Sequence, residues 1–121
     1  MKAIAPPPAA GNVQVRAVRI RPAVVMSVFP QDLNVVLQRL EPLGSERFDL
    51  IIATNILVYY DLFEQSMALV NLATMLRRGG LFLANDPLLD LPATPLTPLG
   101  YTEVVYTDGL SRSRLKWYQR E

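Results

Sequence analysis

Three short groups of side chains in this chain could do chemistry. They are Asp32 with Leu33 beside it, the run Thr54-Asn55-Ile56, and the adjacent pair Tyr59-Tyr60. What is missing around them narrows that chemistry. The 121 residues include no cysteine and no histidine, which removes disulfides, thiol nucleophiles, serine–histidine pairs and ordinary zinc sites together. Any general acid or base has to be Asp, Glu, Tyr or Lys, and no metal site is expected. Read singly, Asp32 is a helix cap, Asn55 a turn residue, and two neighbouring tyrosines are core or interface material. The alternative is a ligand site, and that depends on the elements that carry the three groups.

Half of the chain is apolar, enough for one domain with a core. Twelve basic and eleven acidic residues leave a net charge of +1. Such a balance exerts no long-range pull on nucleic acid or anionic membrane, so neither is expected as a partner. Lys2, Arg16, Arg19 and Arg21 do precede the first acid, Asp32, and solvated arginines on an edge strand account for that run. The opening "MKAIAPPPAAG" has no sustained apolar stretch because Pro6-Pro7-Pro8 interrupt it, and no segment reaches membrane-spanning length. A cytoplasmic chain is the expectation.

Residues 1–12, rich in Ala and Pro, read as an extended, poorly ordered lead-in, with residues 13–121 forming the domain. "VQVRAVRI" (13–20) and "PAVVMSVF" (22–29) read as two strands of a ribbon bent at Arg21-Pro22. Leu33, Val36, Leu37 and Leu40 share one face of a short helix that Asp32 would cap and that Pro42 and Gly44 would end. Phe48 to Thr54 is a near-continuous apolar strand, the pattern of a parallel strand buried on both faces. Asp61 and Glu64 form a capping-box-like pair that opens a second helix. Its buried stripe is Leu62, Leu69, Ala73 and Leu76, its outer side Glu64, Asn71, Thr74 and Arg78. Arg77 and Arg78 suit its last turn and Gly79-Gly80 its stop. "LFLAN" (81–85) is a further strand, a proline-rich loop runs from Asp86 to Pro98, and two strands about Asp108-Gly109 make a terminal hairpin. The order predicts an α/β sheet, parallel at first and antiparallel at its end. Open sheets of this kind bind ligands outside the carboxyl ends of their strands, which is where Asn55 falls.

"FDLIIATNILVYYD" (48–61), a helix ending "MLRRGG" and the strand "LFLAN" together resemble the fourth and fifth strand regions of class I S-adenosylmethionine-dependent methyltransferases. The chemotaxis-receptor methyltransferases are the nearest in flavour, and "VVMSVFPQDLN" (24–34) resembles the third strand with its acidic-apolar pair. The resemblance covers roughly residues 13–119. It implies a partial Rossmann-like sheet with a terminal antiparallel hairpin and S-adenosylmethionine as cofactor. Asp32 and Leu33 would contact the adenine, Thr54, Asn55 and Ile56 the ribose–methionine side, and Tyr59 and Tyr60 the acceptor side. Methyl transfer from a sulfonium asks the protein mainly to position two reactants, so lacking histidine and cysteine is no obstacle.

Departures from the family pattern are specific. The glycine-rich loop and the first strand are missing, and so is the acidic residue that holds the ribose. Thr54 stands where the chemotaxis enzymes have arginine, so their receptor chemistry does not carry over. "NDPL" (85–88) lacks the second proline and the aromatic of the nucleic-acid amino-methyltransferase signature and reads as a turn. The expectation is therefore a fragment or incomplete form of a methyltransferase, inactive by itself, with an unidentified acceptor. The alternative is a non-catalytic assembly module of the same half-fold. Without the first strand, the edge at 48–54 would be closed by the strand at 22–29, by a second copy, or by the missing amino-terminal half.

Overall fold

A proline that cannot donate to a ladder and a run of β-branched residues after it decide the first part of the chain differently from the sequence reading. In the computed structural model, which describes residues 2–5, 17–41, 46–85, 88, 94–106 and 109–121, the chain divides into two units, Met1–Asp32 and Leu33–Glu121. In the first unit, β1 (Lys2–Ile4) pairs antiparallel with β2 (Ala17–Arg19), Lys2 opposite Arg19 and Ile4 opposite Ala17. The expected strand at 22–29 is instead a one-turn helix, α1 (Pro22–Val25), running into a turn. Arg21 is extended and Pro22 takes the first helical positions, where its missing N–H costs nothing. Met26 N–H donates to the Pro22 carbonyl at 2.8 Å and the Ser27 hydroxyl to that of Val24 at 2.7 Å. Strand preference expresses side-chain packing against neighbouring strands, and α1 has no buried residue to supply it. The expected strand residues 13–16 lie outside the described residues.

The second unit opens on a turn rather than the expected helix. Asn34 causes this, not Asp32: its side-chain oxygen accepts from the N–H groups of Val36 (3.1 Å) and Leu37 (3.3 Å), which holds the backbone in a turn at residues 35–37. Val36 is buried, Leu33 and Leu40 are half-buried, and Leu37 is exposed. Asn71, expected on the outer side of the following helix, donates to the Val35 (2.8 Å) and Val36 (3.1 Å) carbonyls and ties the turn down.

β3 (Phe48–Ala53) leads through a short 3-10 turn (Leu57–Tyr59) into α2 (Leu62–Met75). The capping box is as expected. Glu64 N–H donates to Asp61 Oδ1 at 2.8 Å, and Asp61 N–H to Glu64 Oε2 at 3.0 Å. The buried stripe is Gln65, Ala68, Leu69, Leu72, Ala73 and Met75, with Leu62 exposed. The helix stops at Met75, before the arginines and glycines expected to end it. Leu76 is already extended and begins β4 (Leu76–Ala84). Gly79 does take the left-handed conformation (φ 72), but inside this strand, near a register irregularity opposite Phe48–Leu50. A Cβ on Gly80 would lie 2.8 Å from the Arg77 carbonyl oxygen of β4 itself and 3.2 Å from that of Phe48, so a side chain there would force the β4 backbone to shift.

β5 (Leu96–Val105) and β6 (Arg112–Arg120) form the expected antiparallel hairpin. It starts earlier than the proline-rich loop reading allowed, because Pro98 sits within β5 beside an irregularity at Pro98/Gly100, and β5 is an edge strand where proline is tolerated. The four strands are ordered β3-β4-β6-β5, with β3 and β4 parallel and the rest antiparallel. The core gathers Leu57, Leu69, Leu72, Met75, Leu76 and Phe82 between α2 and the sheet. The hairpin's Asp108, with Pro42, Gly44 and Asp86, lies outside the described residues.

Candidate functional site

The parallel pair β3 and β4 ends on two asparagines. Ala53 and Ala84 are register partners, and one or two residues beyond them stand Asn55 and Asn85. Asn55 N–H donates to Asn85 Oδ1 at 2.9 Å, and Asn85 Nδ2 donates to Asn55 Oδ1 at 2.9 Å. The backbone donor determines which atom of Asn85 is the oxygen, and that in turn assigns the second bond. Asn55 is the one non-glycine at positive φ (56°) among the described residues. Left-handed backbone costs an ordinary L-residue roughly 1–2 kcal/mol, less for asparagine, and here the reciprocal amide pair holds it. Asn55 keeps its own Nδ2 hydrogens unpaired among the described hydrogen bonds, at the carboxyl end of a parallel strand.

Asn85 was not anticipated as a site residue. The signal was there: two apolar strands joined by a helix both end in Ala followed within two residues by Asn.

Ile56 enters the 3-10 turn, where Tyr59 N–H donates to Ile56 and Tyr60 N–H to Leu57. Leu57 is fully buried and its carbonyl accepts from Gln65 Nε2 at 3.2 Å, so α2 anchors the turn from inside. The two tyrosines divide: Tyr59 is 80% exposed, whereas Tyr60 is half-buried and packs on the core. Leu33, Ile56 and Tyr60 line one groove of about 330 Å³ beside β3, along with Val35, Leu40 and Leu72. Its lining carries no charged side chain. Asp32 is exposed and closes the first unit. Leu33, Ile56 and Tyr60 thus share a groove that runs along β3, Thr54 and Asn55 follow the end of that strand with Asn85 bonded to Asn55, and Tyr59 stays at the surface.

Asp49 of β3 is engaged by Arg77 Nε in an exposed ion pair. Arg120 donates to the Leu76 carbonyl; burial first, then repulsion from Arg47 and Arg78, lowers its pKa from the ordinary arginine value. Such a site can pack an apolar or aromatic group, offer a carboxamide donor and present a phenol.

The parallel pair bridged by a helix and continued by an antiparallel hairpin makes a mixed α/β fold. Two solved structures share it: the N-methyltransferase NodS from Bradyrhizobium japonicum WM9 in complex with S-adenosyl-L-homocysteine (TM-score 0.54), and NodS from the same source with no ligand named (TM-score 0.51). Each is 16% identical and matches 73% of this chain, which spans 52% and 57% of the respective NodS chains, about half their length. No protein-family model matches the sequence. No curated protein matches it either.

Proposed function

We propose that this chain carries part of an S-adenosylmethionine-dependent methyl-transfer site, as a fragment or incomplete form of such an enzyme. The observation that carries the reading is the Asn55 turn. An asparagine is held in left-handed backbone, clasped by Asn85, at the carboxyl end of a parallel strand, in a fold shared with a methyltransferase whose structure contains the demethylated cofactor. The donor set fits one side of that cofactor. Asn55 Nδ2 would donate to it, flanked by Thr54 and Ile56. Leu33 would pack on the adenine with Asp32 accepting from its amine, Tyr60 would support the acceptor side, and Tyr59 would face the acceptor. The cofactor supplies the methyl group already activated on a sulfonium. What these residues add is orientation and exclusion of water. A glycine-rich backbone cradle is not among them, which also keeps open the reading as a non-catalytic methyltransferase-like assembly module.

Calorimetry with S-adenosylhomocysteine tests the proposal. The isolated chain should bind no tighter than roughly millimolar, about 4 kcal/mol, because half of the contacts are missing. Amide resonances of residues 54–56 should still shift on titration, and lose that shift in Asn55→Ala. Micromolar binding abolished by Asn55→Ala would show a complete site instead. No shift at 54–56 at any concentration would remove the cofactor reading and leave the assembly module.

A further inference from the structure

The first unit holds a cavity that none of the candidate site residues line. It has room for about 340 Å³, at the small end of ligand pockets, and its walls are Lys2 of β1, Arg19 of β2, and Ile20, Arg21 and Pro22 after it. Lys2 and Arg19 are register partners across the ribbon. Residues directly opposite in an antiparallel pair share a face, and strand alternation carries Arg21, two residues on in extended backbone, to that same face. Like charges in that arrangement repel, and nothing near them in the chain offsets them. Residues 1–31 contain no Asp or Glu, and no described ion pair includes Lys2, Arg19 or Arg21. Repulsion alone would splay the three cations apart. They border one cavity instead.

We propose that this cavity binds a small soluble phosphate compound carrying two phosphoryl groups, held between Lys2, Arg19 and Arg21. Charge sets the number of groups. One phosphoryl group carries about −1.5 to −2 at neutral pH, so two are required to match three cations. The two guanidiniums supply planar forks that suit phosphate oxygens, and the Lys2 ammonium adds a point charge from the opposite strand. Ile20 and Pro22 supply the aliphatic part of the wall. An acyl chain has no counterpart here, because Met26 and Phe29, the most exposed apolar residues that follow, do not line the cavity. That favours a soluble phosphate ester over a lipid headgroup.

Binding has a consequence for the ribbon. β1 and β2 are three residues each and neither has a buried residue, so their pairing is marginal and the opposed cations weaken it further. An anion bridging Lys2 and Arg19 turns that repulsion into a clamp across the two strands, and the paired ribbon is stabilised by mass action. All three cations are exposed, so each contact is worth little and affinity is modest, roughly 0.1–1 mM. Nothing in this site draws on the methyl-transfer reading.

Titration with inorganic pyrophosphate at low salt, followed by amide resonances, tests the site. Resonances of residues 2–4 and 17–21 should shift saturably, and amide exchange in β1 and β2 should slow at least about threefold at saturation. Lys2→Gln and Arg21→Gln should each weaken binding at least about threefold, whereas Arg112→Gln, which removes the same charge from β6, should leave it unchanged. Arg21 lies beyond the paired residues, so if Lys2→Gln loosens the ribbon, Arg21→Gln still decides. Equimolar phosphatidylcholine and phosphatidic acid vesicles should not carry the chain down on sedimentation. No saturable shift at these residues, equal weakening by Arg112→Gln, or sedimentation with the vesicles would overturn the proposal.

Discussion

Asn55 concentrates two opposing local effects in one residue. Its positive φ disfavours side chains, while its carboxamide completes a pair with Asn85 that also uses the Asn55 backbone N–H. Glycine at 55 removes the strain and keeps the N–H bond, so Asn55→Gly should leave stability within about 0.5 kcal/mol of the parent. Alanine keeps the strain and loses the carboxamide, so Asn55→Ala should cost about 1–2 kcal/mol in urea unfolding. Asn85→Ala should cost a similar amount, about 1–2 kcal/mol, and the double variant less than the sum, since both remove one pair. Full additivity would mean that the two side chains do not act together. Asp32, Leu33, Thr54, Asn55, Ile56, Tyr59 and Tyr60 were all legible as candidates. Asn85 was marked only by the matching Ala-to-Asn strand ends, and its bond to Asn55 spans 30 residues and needs the two strands side by side.

Among the elements, α2 was the most legible because its signals are local. Asp61 and Glu64 sit three residues apart and cap each other's backbone, and Asp61→Ala should lower stability by about 1 kcal/mol. Its end was not legible. Arg77 and Gly79 are good terminators by type, yet Arg77 reaches Asp49 of β3 and Arg120 of β6 reaches the Leu76 carbonyl, so the chain leaves the helix early for the sheet. The depression of Arg120 works against folding at every pH below its folded value, since the unfolded chain holds that proton more tightly. It therefore produces no stability change around neutrality. Gly80→Ala tests the strand start: with a Cβ at 2.8 Å from one carbonyl, it should cost more than about 2 kcal/mol, the order of an overpacked core. A neutral result would mean that the β4 backbone does not fold back on the Arg77 carbonyl as closely as described.

For the molecule as a whole, the core cluster lies entirely in residues 33–121. Those residues alone should retain a cooperative thermal transition, because the apolar contacts that drive it are all kept. Loss of the transition on removing residues 1–32 would show that the first unit contributes to the core. Among the described residues no helix is long and apolar enough to cross a membrane.

The sequence by itself determined what depends on neighbours along the chain: an α/β order, the strand at Phe48–Ala53, the capped helix after it, the terminal hairpin, and an asparagine at a strand's carboxyl end. Period, capping and turn chemistry act over three or four residues and can be read directly. Tertiary structure decided everything that needed a partner far away. Residues 22–29 lost their strand for want of a neighbour to pair with. Residues 33–40 gave up a helix because Asn34 captured the backbone and Asn71, 36 residues on, fastened it. Gly79 and Gly80 moved from a helix stop into a strand, where Gln119 of β6 donates to the Gly79 carbonyl and Phe48 of β3 lies beside Gly80. Asn55 acquired its clasp only when Asn85 arrived beside it. The physical reason is the same in each case: strand pairing and side-chain hydrogen bonds across the sheet are worth more than local propensity, and their energy appears only once the chain has folded back on itself.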